Sequence, residues 1–186
     1  MNAIGFFVGM KTIVLVGFSG AGKSRMGKRL SARLGCEFYD TDRLFEQKFH
    51  LSIPDFFKKY GENSFRICEN VVLEEVLKQE GVVIATGGGT PCRAGVMEKI
   101  NQAAFSVYIQ LSPVSLCNRL ACARQPRPLT DGMTPEQLTD YVSNNLKVRE
   151  QYYSKAHLTV KGENLTVDTL LDALRECGQL QENEPR

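Results

Sequence analysis

Gly17-Phe18-Ser19-Gly20-Ala21-Gly22-Lys23-Ser24 fits the pattern G-x-x-x-x-G-K-[ST] in full, a loop that cradles the phosphates of a nucleoside triphosphate. Its glycines let the backbone take positive φ and bring N–H groups against phosphate oxygens. A helix starting at the end of the loop aims its unpaired N–H groups and partial positive charge at the same anion. Lys23 is then placed for the β- and γ-phosphates, and the Ser24 hydroxyl for Mg2+.

Asp40 and Asp42 flank one residue at the end of an apolar run. In extended chain, side chains two apart face the same side. Two carboxylates in one pocket can divide the work, one holding Mg2+ through water and the other accepting a proton from an attacking hydroxyl. Capping of a following helix by Asp42 is the competing reading. Gly87-Gly88-Gly89 suits close approach of backbone to a ligand, with N–H groups offered to an oxygen, or else a surface hinge. Phe65, Arg66 and Glu69 fall on neighbouring sides of a helix. An aromatic, a guanidinium and a carboxylate suit a small polyhydroxylated acid, because Arg binds a carboxylate through two parallel hydrogen bonds. An exposed Arg–Glu pair beside a core Phe is the plainer alternative. Residues 123–132 hold Arg124 and Arg127 among prolines. Such a stiffened basic loop can act as a lid that brings an arginine to a γ-phosphate, or serve as a plain connector. Arg149 is either a second anion ligand or a solvated helix residue, and His50 and His157 have no partner visible in sequence.

These residues need a frame. Strand-like runs recur at Thr12–Val16, Glu37–Asp40, Val82–Ala85, Phe105–Gln110 and, more weakly, Leu158–Val160, with helical segments between them. After the glycine-rich loop, Met26, Leu30 and Leu34 recur at helical spacing and Gly35 marks a stop. Strands alternating with helices predict an α/β fold, a parallel sheet covered on both faces. Ligands of such sheets bind beyond the carboxyl ends of the strands, where the glycine-rich loop, Asp40–Asp42 and Gly87–Gly89 all stand.

The 186 residues suit one domain, and a net charge of +2 does not favour nucleic acid or a membrane surface as partner. No apolar run is long enough to span a bilayer, and the apolar stretch Met1–Met10 lacks the basic flank of a signal peptide. The six cysteines show no C-x-x-C spacing, so neither zinc nor a redox pair is indicated. They are expected to be reduced and mostly buried in a cytoplasmic enzyme.

The ordered set of motifs resembles the shikimate kinases, small phosphate-loop kinases of the nucleoside-monophosphate-kinase type. The similarity runs from about Lys11 to Leu174. It is carried by Gly17–Ser24, Phe38-Tyr39-Asp40-Thr41-Asp42, Ser52–Phe57, Gly61-Glu62 with Phe65-Arg66 and Glu69, Gly87–Gly89, Arg127-Pro128-Leu129, and Arg149 with Tyr152 and Ala156. The resemblance implies a three-layer α/β/α domain over residues 11–178, with strand order 2-3-1-4-5. It also implies an acceptor region near 41–70, a lid near 123–132, and frayed ends at 1–10 and 179–186.

The implied reaction converts ATP and shikimate to ADP and shikimate 3-phosphate with Mg2+, in aromatic amino acid biosynthesis, by a cytoplasmic monomer. By the same resemblance, Gly20, Ala21, Gly22, Lys23, Ser24, Arg25 and Arg127 bind ATP, and Lys23 and Arg127 stabilise the transferring group. Ser24 and Asp40 hold the metal. Asp42 binds shikimate hydroxyls and serves as base. Arg66 and Arg149 clamp the carboxylate, Glu69 orients Arg66, Phe57 and Phe65 line the ring's pocket, and Gly87, Gly88 and Gly89 contact the substrate. Arg25 stands where the family often has Thr, and a Gly is frequent in the family near His50-Leu51. The adenine-stacking arginine is either Arg119 or Arg124. Gluconate kinase or another small-molecule kinase, and a nucleotide-binding module without turnover, are the alternative readings.

Overall fold

The computed structural model describes residues 10–122 and 132–180. The chain order is β1 (Ile13–Val16), α1 (Lys23–Leu34), β2 (Phe38–Asp40), α2 (Thr41–Phe49), α3 (Ile53–Val76), β3 (Val83–Ala85), a 3-10 turn (Thr90–Cys92), α4 (Val96–Ala103), β4 (Phe105–Gln110), α5 (Pro113–Ala121), α6 (Pro135–Tyr153), β5 (Leu158–Lys161) and α7 (Val167–Glu176). The five strands lie parallel in the order β2-β3-β1-β4-β5, as the resemblance implied. All five fall within a residue of the runs read from sequence.

Burial follows from that order. β1 and β3 are buried along their whole length, because helices cover both faces of the inner strands. The edge strands β2 and β5 are only partly buried. Met26, Leu30 and Leu34 of α1 and Leu170, Leu171 and Leu174 of α7 pack into the main core with the sheet. Met10 and Leu180 also pack there, so the packed chain reaches slightly beyond residues 11–178 at both ends. A second apolar cluster of Phe45, Phe56, Phe65 and Val72 joins α2 to α3, separate from the main core.

The local stops have identifiable causes. Gly35 ends α1 in the left-handed conformation at φ 69°. Gly61 breaks α3 at φ 76° and ψ 172°, a backbone conformation that strains residues with a side chain. His50 ends α2 at φ 52° and is the one non-glycine residue with positive φ among the described residues. It lies in the region where the family often carries a glycine.

Two expectations change. None of the six cysteines is fully buried; four are intermediate, and Cys122 and Cys177 are exposed. Cys36, Cys92 and Cys117 pack against the main core and Cys68 against the smaller cluster, while branched aliphatics and aromatics fill the interior itself. His157, with no partner visible in sequence, accepts the Ser106 backbone N–H at Nδ1 (3.1 Å) and stacks on Phe105. Among the described residues, no helix is long and apolar enough to cross a membrane.

Candidate active site

β1 delivers the glycine-rich loop to the carboxyl edge of the sheet, and α1 begins at Lys23 immediately after it. Gly17, Gly20 and Gly22 take φ of 140°, 90° and 95°, the conformations that fold N–H groups inward. Gly17 is also required for space, since an added Cβ would lie 2.8 Å from the Ile109 carbonyl oxygen. Lys23 is 7% exposed, and its ammonium donates to the carbonyls of Gly17 (2.8 Å) and Phe18 (3.0 Å). Its charge is thereby held inside the loop.

A cleft of about 550 Å³ lies beside the loop. Gly20, Ala21 and Gly22 form one wall, Glu163, Asn164 and Leu165 another, and Arg25, Arg29 and Arg119 line it with cations. Arg119 bridges the two walls, donating to Ala21 O and Gly162 O, both at 3.0 Å. Of the two arginines considered for the base, Arg119 therefore lines this cleft. Arg124 and Arg127 lie outside the described residues, as does most of the expected lid. Arg25 and Ser24 are exposed at the start of α1.

The acidic pair differs from the sequence expectation. Asp42 is not in extended chain but in the first turn of α2, and Asp40, not Asp42, caps that helix. Asp40 Oδ1 accepts the N–H groups of Asp42 (3.1 Å) and Arg43 (3.3 Å). β2 ends at Asp40 and α2 starts at Thr41, and a carboxylate at that boundary satisfies two otherwise unpaired helix donors. The carboxylates still share a pocket. Crowding by protein, then the charge of Asp40, push the Asp42 carboxyl up to about 6 against the pull of Lys23, with Glu69 and Glu46 adding to the rise. Asp42 keeps solvent-exposed surface, and water reaching it there tempers the contribution of burial.

Ser24 and Asp40 offer oxygen donors only, and no group of three or more His, Cys, Asp or Glu among the described residues could cage a metal. That donor set fits Mg2+, which keeps several waters and is held by one or two protein oxygens plus phosphates.

β3 delivers the triglycine segment opposite the loop. None of Gly87, Gly88 and Gly89 has positive φ, so their glycine character answers to space. An added Cβ on Gly87 would lie 2.6 Å from Asp42 Oδ1, on Gly88 2.8 Å from Ser19 N, and on Gly89 3.0 Å from Arg66 Nη1. The Gly87 N–H is taken by Thr41 Oγ1 (3.0 Å), so it is not offered to a ligand as the sequence suggested.

Arg66 lies over Phe65 and Phe57, at 5.2 and 6.0 Å from the ring centroids. Its Nε and Nη2 donate to Glu62 Oε1 and its Nη1 to the buried Glu69. These three contacts use three of a guanidinium's five N–H groups and leave one on each terminal nitrogen. Arg149, on α6, stacks over Phe18 of the loop at 5.1 Å. The structure thus gathers Lys23, Asp40, Asp42, Arg66, Glu69 and the triglycine segment at the carboxyl edge of β1, β2 and β3.

The shikimate kinase family model matches residues 19–177. The chain belongs to the shikimate kinase family. It is 36% identical over 171 residues to the shikimate kinase of Phocaeicola vulgatus, covering 90% of this chain and 98% of that relative. The crystal structure of shikimate kinase from Bacteroides thetaiotaomicron matches with a TM-score of 0.86 at 33% identity, over 92% of this chain and 99% of that one. Shikimate kinase from Acinetobacter baumannii in complex with shikimate matches with a TM-score of 0.81 at 34% identity, over 92% and 94% of the two chains. As a member of the shikimate kinase family the chain is an ATP-dependent small-molecule kinase, and neither gluconate kinase nor a silent nucleotide-binding module is favoured.

Three residues at this site escaped the sequence reading or were left open by it. Thr90 donates to Glu69 (2.6 Å), Tyr153 donates to Gly88 O (2.5 Å), and Arg119 joins the two walls of the cleft beside the glycine-rich loop. Thr90 stands next to the triglycine motif, which was the one local signal available for it.

Proposed function

We propose that this chain transfers the γ-phosphoryl group of ATP to the 3-hydroxyl of shikimate, giving ADP and shikimate 3-phosphate. The observation that supports this reading is Arg66, which keeps one N–H on each terminal nitrogen beside Gly89 and two aromatic rings. Such a fork suits a carboxylate on a flat ring, and Arg149 supplies a second cation for it.

In the proposed mechanism the glycine-rich loop binds the phosphates and Lys23 neutralises charge on the transferring group, with Arg127 as the second cation expected there. Asp42 takes the proton of the attacking hydroxyl as the new O–P bond forms and the bond to the ADP oxygen breaks. Ser24, and Asp40 through water, would hold Mg2+, which when bound neutralises phosphate charge. Phe57 and Phe65 line the ring's pocket and Glu69 holds Arg66. The remaining contribution is positioning, which supplies most of what phosphoryl transfer asks of a protein.

ADP release measured with shikimate, gluconate and nucleoside monophosphates tests the reading. Release stimulated by shikimate is expected. Release stimulated only by another acceptor, or by none, overturns it. Arg66→Ala should raise the shikimate KM at least tenfold with the ATP KM little changed.

A further inference from the structure

Thr90 is the first residue of the 3-10 turn after the triglycine segment, and it is 2% exposed. Its hydroxyl lies 2.6 Å from Glu69 Oε1, while Glu69 Oε2 accepts Arg66 Nη1 at 2.9 Å. Glu69 is itself 5% exposed. A buried carboxylate needs its oxygens met, and each oxygen of Glu69 here has its own donor. The terminal torsion of a glutamate is broad and two-fold, so a carboxylate anchored at one oxygen turns easily. Anchored at both, it has one orientation.

We propose that Thr90 is a positioning residue for the acceptor: its hydroxyl pins Glu69, and Glu69 so pinned fixes the Arg66 fork that receives the acceptor's carboxylate. Without that hydroxyl, Glu69 follows Arg66 instead of holding it. Arg66 then swings toward Glu62, its other carboxylate partner, on the exposed side of α3. None of Thr90, Glu69 and Arg66 lines the nucleotide cleft, so the effect belongs to the acceptor alone. The inference rests on the acceptor reading given above.

Thr90→Ser and Thr90→Ala differ only in the hydroxyl, and steady-state kinetics of both with shikimate and ATP, beside melting curves, form the test. Thr90→Ala should raise the shikimate KM about tenfold, with the ATP KM within about twofold of wild type. Thr90→Ser should restore the shikimate KM even if its melting temperature falls through the lost methyl. Thr90→Val, which keeps the shape and removes the hydroxyl, should behave as Thr90→Ala. A wild-type shikimate KM in Thr90→Ala, a joint rise in both KM values, or a Thr90→Ser variant as impaired as Thr90→Ala would each overturn the role of Thr90 and leave the acceptor reading standing. A wild-type protein that releases no ADP in response to shikimate overturns that reading, and the role of Thr90 with it.

Discussion

The hydroxyl of Tyr153 lies 2.5 Å from the carbonyl oxygen of Gly88, and Gly88 packs so closely on the phosphate-binding loop that an added Cβ would lie 2.8 Å from Ser19 N. Tyr153 is fully buried at the end of α6, and one turn earlier the same helix places Arg149 over Phe18 of that loop. A single helix therefore braces both the glycine-rich loop and the triglycine segment across from it.

Tyr153→Phe removes that brace together with the hydroxyl's contacts to Cys92 and Arg149. Loss of a buried hydrogen bond predicts a fall in unfolding free energy of about 1 kcal/mol, read from denaturant melts. Because Gly88 touches the phosphate-binding loop, kcat/KM should fall about tenfold with ATP and with shikimate varied in turn. A change confined to stability would show that the brace serves the fold alone.

Asp42 carries a pH signature. Its folded pKa is raised from 3.8 to about 6, so ionising it weakens the folded state. Its contribution to stability is fully present below about pH 4 and is lost as pH rises through about 6. Asp42→Asn, measured with EDTA present, should therefore be more stable than wild type at pH 8, by roughly 1 kcal/mol once solvent access is discounted. That gain should vanish near pH 4. Turnover should drop at least a hundredfold in the same variant, since a proton acceptor is gone.

His50 sits at φ 52° with an L side chain where glycine incurs no steric cost. His50→Gly should raise the unfolding free energy by up to about 1 kcal/mol, with KM values unchanged. Thermal melts and steady-state kinetics check both halves of the statement.

Arg25 is exposed on the cleft beside the glycine-rich loop, with Arg29 and Arg119. Arg25→Thr should raise the ATP KM roughly three- to tenfold with kcat little changed, because a solvated cation attracts ATP more than it stabilises the transition state. The salt dependence of kcat/KM for ATP should flatten in the variant. The shikimate KM should stay constant.

Much of this site could be read from local sequence. Gly17–Ser24 is contiguous, and its strand, loop and helix follow one another, so the pattern carries its own geometry. Arg66 and Glu69 share a helix, and helical spacing alone brings them together. Contacts between distant segments left no such trace. Arg119 reaches Ala21 across 98 residues and Tyr153 reaches Gly88 across 65, and no spacing rule encodes either approach. The sequence reading put the cap at Asp42, because nothing local marks α2 as starting at Thr41, directly after β2 ends at Asp40.

Phe45, Phe56, Phe65 and Val72 form a cluster distinct from the main core. Residues 45–72 therefore carry a small nucleus of their own, while Leu73 and Val76 at the end of α3 belong to the main core and Leu44 packs against both. Arg66 lies over Phe65 of that nucleus, while the sheet and Phe18 and Ala21 of the glycine-rich loop pack in the main core. The two packing units can therefore vary with some independence, tied to each other through Leu44, Leu73 and Val76.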